Sequence, residues 1–181
     1  MQPEFQNNPF HLLCDLDKKS RDRSGGLPAF QDEEDGWTGV LFRIRNNELL
    51  ASMSEVREIV PLEALTAVPG TANWLIGVMN LRGNLLPVID LEGFLFGENL
   101  GSTESRCRLL VVDHAGYPVG LIVRAVLGMK HYRNDDIAVE MPKLDKEITS
   151  FVSSSYERQK MHHAVFGMQA LLTDERFRSV T

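Results

Sequence analysis

Proton transfer and metal binding need particular side chains at particular spacings, and two places in this chain offer them. Asp113-His114 has the residue types of a catalytic pair. No serine or cysteine in a nucleophile turn accompanies it, so the dipeptide reads as the start of a surface turn. His162-His163 sets two imidazoles side by side. Adjacent residues of a strand point to opposite faces, so the pair cannot readily share one ion, and no nearby Cys, Asp or Glu completes a tetrahedral set. The glycines at 77, 83, 93 and 97 lack the Gly-Lys-Ser/Thr step of a phosphate loop. Asp135-Asp136 lacks calcium-loop spacing and reads as a cap on a turn after Asn134. Ser153-Ser154-Ser155 reads as a flexible connection, and Met129, Met141, Met161 and Met168 mostly as core filling. No catalytic residue, metal or cofactor is expected.

Glu58 and Arg82 stand apart. Each is a charge on a strand where apolar residues predominate. As two exposed charges on edge strands they would contribute about 0–1 kcal/mol. As a partly buried pair on a groove rim, Glu58 would orient Arg82 toward a partner, and loss of one member would cost about 3–5 kcal/mol.

The elements that carry them are short strands. Trp74 to Leu91 reads as strand, turn, strand, with a two-residue loop at Gly83-Asn84. Met79, Leu81, Leu86 and Val88 then form an apolar face. Val78, Asn80, Arg82, Leu85, Pro87 and Ile89 form a mixed face suited to recognition. A similar hairpin begins at Trp37 and turns at Asn46-Asn47. Val56 to Val60 is a strand stopped by Pro61. Thr71 to Leu75 is a single helical turn, and Leu91 to Phe96 a short helix ended by Gly97. The second half repeats this order. Leu109 to Val123 mimics the first hairpin, Val126 to Met129 takes the place of Val56 to Ile59, and His163 to Leu172 matches Leu86 to Leu95. The offsets are about 70 and 77 residues. Short strands with frequent turns point to two small β lobes, each marginal alone, packed together with a groove between them.

Composition narrows the field. A 43% apolar content excludes wholesale disorder. No apolar run approaches the ~20 residues that span a bilayer, and the first residues lack the pattern of a secretory signal. Cys14 and Cys107 sit in unlike contexts and read as reduced thiols, as in a cytoplasm. Of the net charge of −6, residues 1–36 carry −4. Neither part has the basic balance of a nucleic-acid binder. A boundary falls near Gly36, after Ser24-Gly25-Gly26-Leu27-Pro28 and the acidic run Asp32 to Asp35. Residues 1–36 are expected to be an acidic extension and 37–181 the folded domain. Phe10 to Leu16 has the spacing of one or two helical turns. It is either a frayed tail or a segment that folds against its own domain or a partner.

These residues resemble the CheW family of chemotaxis coupling proteins. The matching pieces are Phe42-Arg43-Ile44, Val56-Arg57-Glu58-Ile59, Val68-Pro69-Gly70, Trp74, Gly77-Val78-Met79-Asn80-Leu81-Arg82-Gly83, Leu86-Pro87-Val88-Ile89-Asp90-Leu91, Gly120-Leu121-Ile122-Val123 and Val126. Gly167 stands where the family usually has Asp, and His162-His163 are unusual. The tail, with Gly26-Leu27-Pro28-Ala29 and Trp37-Thr38-Gly39, is similar to the branch that serves type IV pilus chemosensory systems. The resemblance implies a mostly β fold of two five-stranded SH3-like barrels around a shared core, with a few short helices. It implies a non-catalytic adaptor, associated with membrane receptor arrays from the cytoplasm. It bridges the regulatory domain of a CheA-like histidine kinase and the cytoplasmic tip of a methyl-accepting chemoreceptor. The positions carried over as partner-facing are Val56, Glu58, Ile59, Asn80, Leu81, Arg82 and Gly83. The competing readings are an adaptor of a flagellar system, a small nucleic-acid-binding barrel and a groove enzyme at Asp113-His114.

Overall fold

The computed structural model describes residues 36–98 and 106–178. The expectations for Phe10 to Leu16, Cys14 and the acidic extension before Gly36 lie outside the described residues.

Among the described residues, ten strands form two sheets. They are β1 (Gly36–Ile44), β2 (Asn47–Ser52), β3 (Val56–Pro61), β4 (Leu75–Leu81), β5 (Asn84–Asp90), β6 (Arg108–His114), β7 (Tyr117–Val123), β8 (Ala125–Arg133), β9 (Val152–Arg158) and β10 (Met161–Phe166). Four short α-helices accompany them: α1 (Leu91–Phe96), α2 (Lys146–Thr149), α3 (Met168–Thr173) and α4 (Glu175–Arg178). One sheet runs β8-β1-β2-β10-β9 and the other β3-β6-β7-β5-β4. The two orders are the same under the sequence repeat, with β1 to β5 standing for β6 to β10. The repeat is therefore real, but each lobe takes strands from both halves: the β1–β2 hairpin joins β8, β9 and β10, while β6–β7 joins β3, β4 and β5. Each sheet rolls up along its edges. Thr66, beyond edge strand β3, bridges Val78 on edge strand β4, and Ile137, beyond β8, bridges Tyr156 on β9.

Alternation of apolar residues explains three cores. One face of each sheet meets the other sheet in a shared core that includes Phe42, Ile44, Leu49, Leu110, Leu121 and Phe166. The opposite face lines each barrel's interior. The interior of the barrel holding β3 to β7 is aliphatic, with Met79, Leu86, Val88, Leu109, Val111 and Ile122. The other is smaller and aromatic, built on Leu41, Leu50, Tyr132, Tyr156 and Val165. Trp37 stacks on Tyr156 with ring centroids 5.0 Å apart. Fully burying one such side chain contributes ~1.5–3 kcal/mol, so the shared core is the main source of cohesion between the lobes.

Two turns differ from expectation by one position. The loops are Arg82-Gly83, with Leu81 paired to Asn84, and Arg45-Asn46, with Ile44 paired to Asn47. The shifted loop moves the register by two residues, which preserves the faces. Met79, Leu81, Leu86 and Val88 therefore still point into the barrel. The cause is a side-chain bond: the Oδ1 of Asn80 accepts from the N–H of Gly83 at 2.8 Å, which closes the turn around Arg82. Asp113 does the same for Gly116 at 2.7 Å, at the expected Ala115-Gly116 loop. Arg82 takes φ 52° and Gly83 φ 87°, the positive angles that a primed turn requires.

Other segments also depart from the sequence reading. Ser153 to Ser155 is part of β9, not a connection; Ser155 is buried, and its hydroxyl donates to the Glu140 carbonyl at 2.7 Å. Met129, Met141 and Met161 are exposed, and only Met168 of the four fills the core. They sit where strand parity turns them outward or on the link after β8. Thr71 to Leu75 holds one turn bond, from the Leu75 N–H to the Ala72 carbonyl.

The repeat also explains how the chain accommodates Gly167. Asp90 caps α1, its Oδ1 accepting from the N–H groups of Glu92 and Gly93 at 3.0 and 3.1 Å. Gly167 is its counterpart before α3 and has nearly the same backbone, φ −80° and ψ 107° against −77° and 106°. With no side chain to cap the helix, Glu55 reaches across from the β2–β3 turn and its Oε1 accepts from the Gln169 N–H at 3.1 Å.

Candidate functional site

β3 and β4 are the two edges of one sheet, and the residues singled out from sequence lie along the seam between them. Glu58 is on β3. Arg82 is the first residue of the β4–β5 turn, whose left-handed backbone aims its side chain back across the seam. The guanidinium Nη2 and the Glu58 Oε2 are 2.8 Å apart. Arg82 is 76% exposed and Glu58 23%. An ion pair so open to water contributes about 0–1 kcal/mol to stability, so its effect is orientation. It holds a long cation in one place on the surface.

The seven expected partner-facing positions divide by depth. Glu58, Asn80, Arg82 and Gly83 form the surface of the seam. Ile59 and Leu81 are half-buried, packed respectively on the shared core and on the barrel interior. Val56 is buried in the shared core and supports β3 from behind. The carboxamide oxygen of Asn80 fixes the turn that presents Arg82. Leu85, paired with Asn80 across the hairpin, is 73% exposed. Arg57, at the bulge of β3, has Nη1 at 3.8 Å from the Asp113 carboxylate. Arg57, Glu58, Leu81, Arg82, Asn84 and Pro118 enclose a shallow depression.

The mixed face of the hairpin continues into a second, apolar depression of about 330 Å³, lined by Trp74, Leu75, Pro87, Ile89, His114, Val119 and Phe177. Phe177 comes from α4. It stacks on Trp74 at 5.8 Å and meets Phe94 and His114 edge-on. Sequence reasoning missed this part. Phe177 lies far along the chain, and only its apolar character within a polar C-terminal stretch hinted at a packed position.

The groups weighed for chemistry do not converge. His114 is an edge of the apolar depression, and Asp113 is occupied by its own turn. His162 and His163 point to opposite faces as expected. His162 is half-buried, its Nε2 3.8 Å from Glu157, and His163 is buried and shares a 3.0 Å hydrogen bond with the Tyr132 hydroxyl. Burial, more than its charged neighbours, holds the His163 imidazole below the usual histidine range and raises the Tyr132 hydroxyl above its own. Among the described residues, no cluster of three metal-ligating side chains is present, and no helix is long and apolar enough to cross a membrane. Cys107 is buried in the interior of the barrel holding β3 to β7.

The seam thus sets an oriented cation on a turn fixed by Asn80, next to an apolar depression. The chain is similar to known proteins. The CheW-like domain model matches residues 38–175. Protein PilI of Pseudomonas aeruginosa is 37% identical over 172 residues, covering 95% of this chain and 96% of that one. Chemotaxis protein CheW of Helicobacter pylori is 32% identical, with 63% and 70% covered, and protein FrzA of Myxococcus xanthus is 32% identical over 53% of this chain and 59% of its own. The crystal structure of the scaffolding protein TtCheW from Thermoanaerobacter tengcongensis shares the fold, with a TM-score of 0.65 at 24% identity, over 77% of this chain and 94% of that one. The chain belongs to the CheW-like family of chemotaxis coupling and scaffolding proteins.

Proposed function

We propose that this protein is a non-catalytic adaptor that couples a CheA-like histidine kinase to a methyl-accepting chemoreceptor, in a chemosensory system that controls type IV pili and twitching motility. The single observation that carries the reading is the near end-to-end similarity to PilI, tail included. The seam supports it. Glu58 holds Arg82 outward, Asn80 and Gly83 fix the turn beneath it, and Leu81, Ile59 and Val56 set the height of the strands. A kinase regulatory domain of the same fold would meet this barrel edge to edge. The receptor's helical tip would lie along the apolar depression that runs from Pro87 to Phe177.

An adaptor changes kinase activity only if its contacts differ between the kinase's two states. A shallow surface of this kind suits reversible assembly, with repetition in an array supplying avidity. Residues 37–181 are the coupling domain in this account, and residues 1–36 an extension that the seam contacts do not need. The test is co-precipitation of the purified chain with a CheA-like regulatory domain and a receptor tip fragment, with and without residues 1–36. Capture of both partners by both forms is expected. Capture of neither by the full chain would overturn the reading.

A further inference from the structure

A larger depression lies away from the seam. Its lining is Arg43, Arg45, Asn46, Glu48, Arg106, Arg108, Arg124, Ala125, Val126 and Leu127, around a volume of about 630 Å³. Five arginines line it, three of them paired with the carboxylates of Glu48, Glu92 and Glu98, a concentration of cations unexpected in a protein of net charge −6.

Three of the guanidinium groups, those of Arg43, Arg45 and Arg124, are held in place by carboxylates. Glu92 is buried, and its two oxygens accept from Arg124 Nε and Nη2 at 2.6 and 2.8 Å while Oε1 also accepts from the Arg45 backbone N–H at 2.7 Å. Arg45 lies over the Phe96 ring, 3.8 Å from its centroid, with one amino group on Glu98. Arg43 uses one amino group on Glu48. A guanidinium has five N–H donors, so one such contact leaves Arg43 and Arg45 donors for further oxyanions. Arg106 is exposed at the mouth. The remaining wall is apolar: Val126 and Leu127 belong to edge strand β8, and Leu127 is 40% exposed.

We infer that this arginine cleft is a docking surface for an acidic segment of a partner protein, one that carries at least one apolar side chain among its carboxylates. Guanidinium groups that one contact already holds in place keep donors for a partner's carboxylates and lose little side-chain freedom on binding. The apolar β8 wall takes the hydrophobic residue. A polynucleotide is disfavoured, since the cleft is short and the chain as a whole is acidic.

The test uses the full chain and a fluorescein-labelled Glu-Glu-Leu-Glu-Glu-Glu peptide, followed by anisotropy at low salt, with its lysine counterpart and a single-stranded oligodeoxythymidine as parallel probes. Arg106→Glu is compared with Lys130→Glu, which makes the same change in net charge in a different depression. The expected result is binding of the glutamate peptide alone, weakened about fivefold or more by Arg106→Glu and by less than about twofold by Lys130→Glu. Equal losses in the two variants, no binding of the glutamate peptide, or tighter binding of the oligonucleotide would overturn the inference. Thermal melts of both variants check that each is folded. The seam variants of the coupling reading retain the peptide in this account, so either idea can fail alone.

Discussion

At the scale of the residue, small groups decide how the surface is set. Gly167 and Glu55 are one example. The backbone at Gly167 already has the shape of the capping Asp90, and the space a Cβ would fill meets neighbours at no less than 3.5 Å. Gly167→Asp should therefore cap α3 directly. Two carboxylates at one helix end repel, so the gain is greatest where Glu55 is absent. Glu55→Ala should cost about 0.5–1 kcal/mol, and Gly167→Asp in that background should restore it, a shift in Tm of about 2–4 °C. Denaturant melts of the single and double variants measure this, and absence of rescue would refute the capping account. His163 gives a second prediction. Its folded-state affinity for a proton is reduced, first by burial, with Lys130 and His162 adding to the effect and Glu48 opposing it. The unfolded chain then binds the proton more tightly. Stability should be complete above the ordinary value of 6.5 and fall as pH drops below it. Tm measured from pH 8 downward should show that slope, and His163→Gln should flatten it.

At the scale of the element, the hairpin turns carry the most information. Asn80-Leu81-Arg82-Gly83 and Asp113-His114-Ala115-Gly116 share one spacing, an Asx three residues before a Gly, and in both the side chain closes the turn. That spacing is visible in the sequence. It is masked at Arg82 because Gly83-Asn84 is itself a good turn pair by composition. The faces were nonetheless legible, since a slip of two residues keeps strand parity. The helix at Leu91 to Phe96 was legible too, because Asp90 and Gly97 mark both its ends. Ser153 to Ser155 misled because serine is common in loops, and only pairing with β10 makes it a strand. Asn80→Ala should loosen the β4–β5 turn at a cost of about 1 kcal/mol and raise amide exchange at Asn84 and Leu85 without altering the core. Unchanged exchange there would show that Gly83 alone fixes the loop.

At the scale of the whole molecule, the repeat and the topology differ in a telling way. The order of elements was readable from sequence, as was the packing of two lobes on a shared core; the spacing of Glu58 and Arg82 left their pairing open, and the family resemblance favoured it. The exchange of strands between halves was not. Nothing in a strand's pattern says which hairpin it joins, because β3 and β8 are both only partly apolar and either could cover either sheet. The consequence is that neither half contains a complete sheet. Fragments 37–98 and 106–178 should each be unstructured in isolation and should gain β structure together on mixing, as seen by circular dichroism. A stable fold in either fragment alone would contradict the interleaved arrangement.

The central claim is that the seam built around Arg82 holds other proteins. It is tested most directly by measuring the affinity of the chain and its Arg82→Ala variant for a CheA-like regulatory domain and for a receptor tip, with a thermal melt of each. The pair is exposed, so stability should stay within about 1 kcal/mol of the original. Binding to at least one partner should weaken roughly tenfold, through the loss of one fixed charge at a contact centre. Equal affinity of the variant for both partners, with the fold intact, would contradict it.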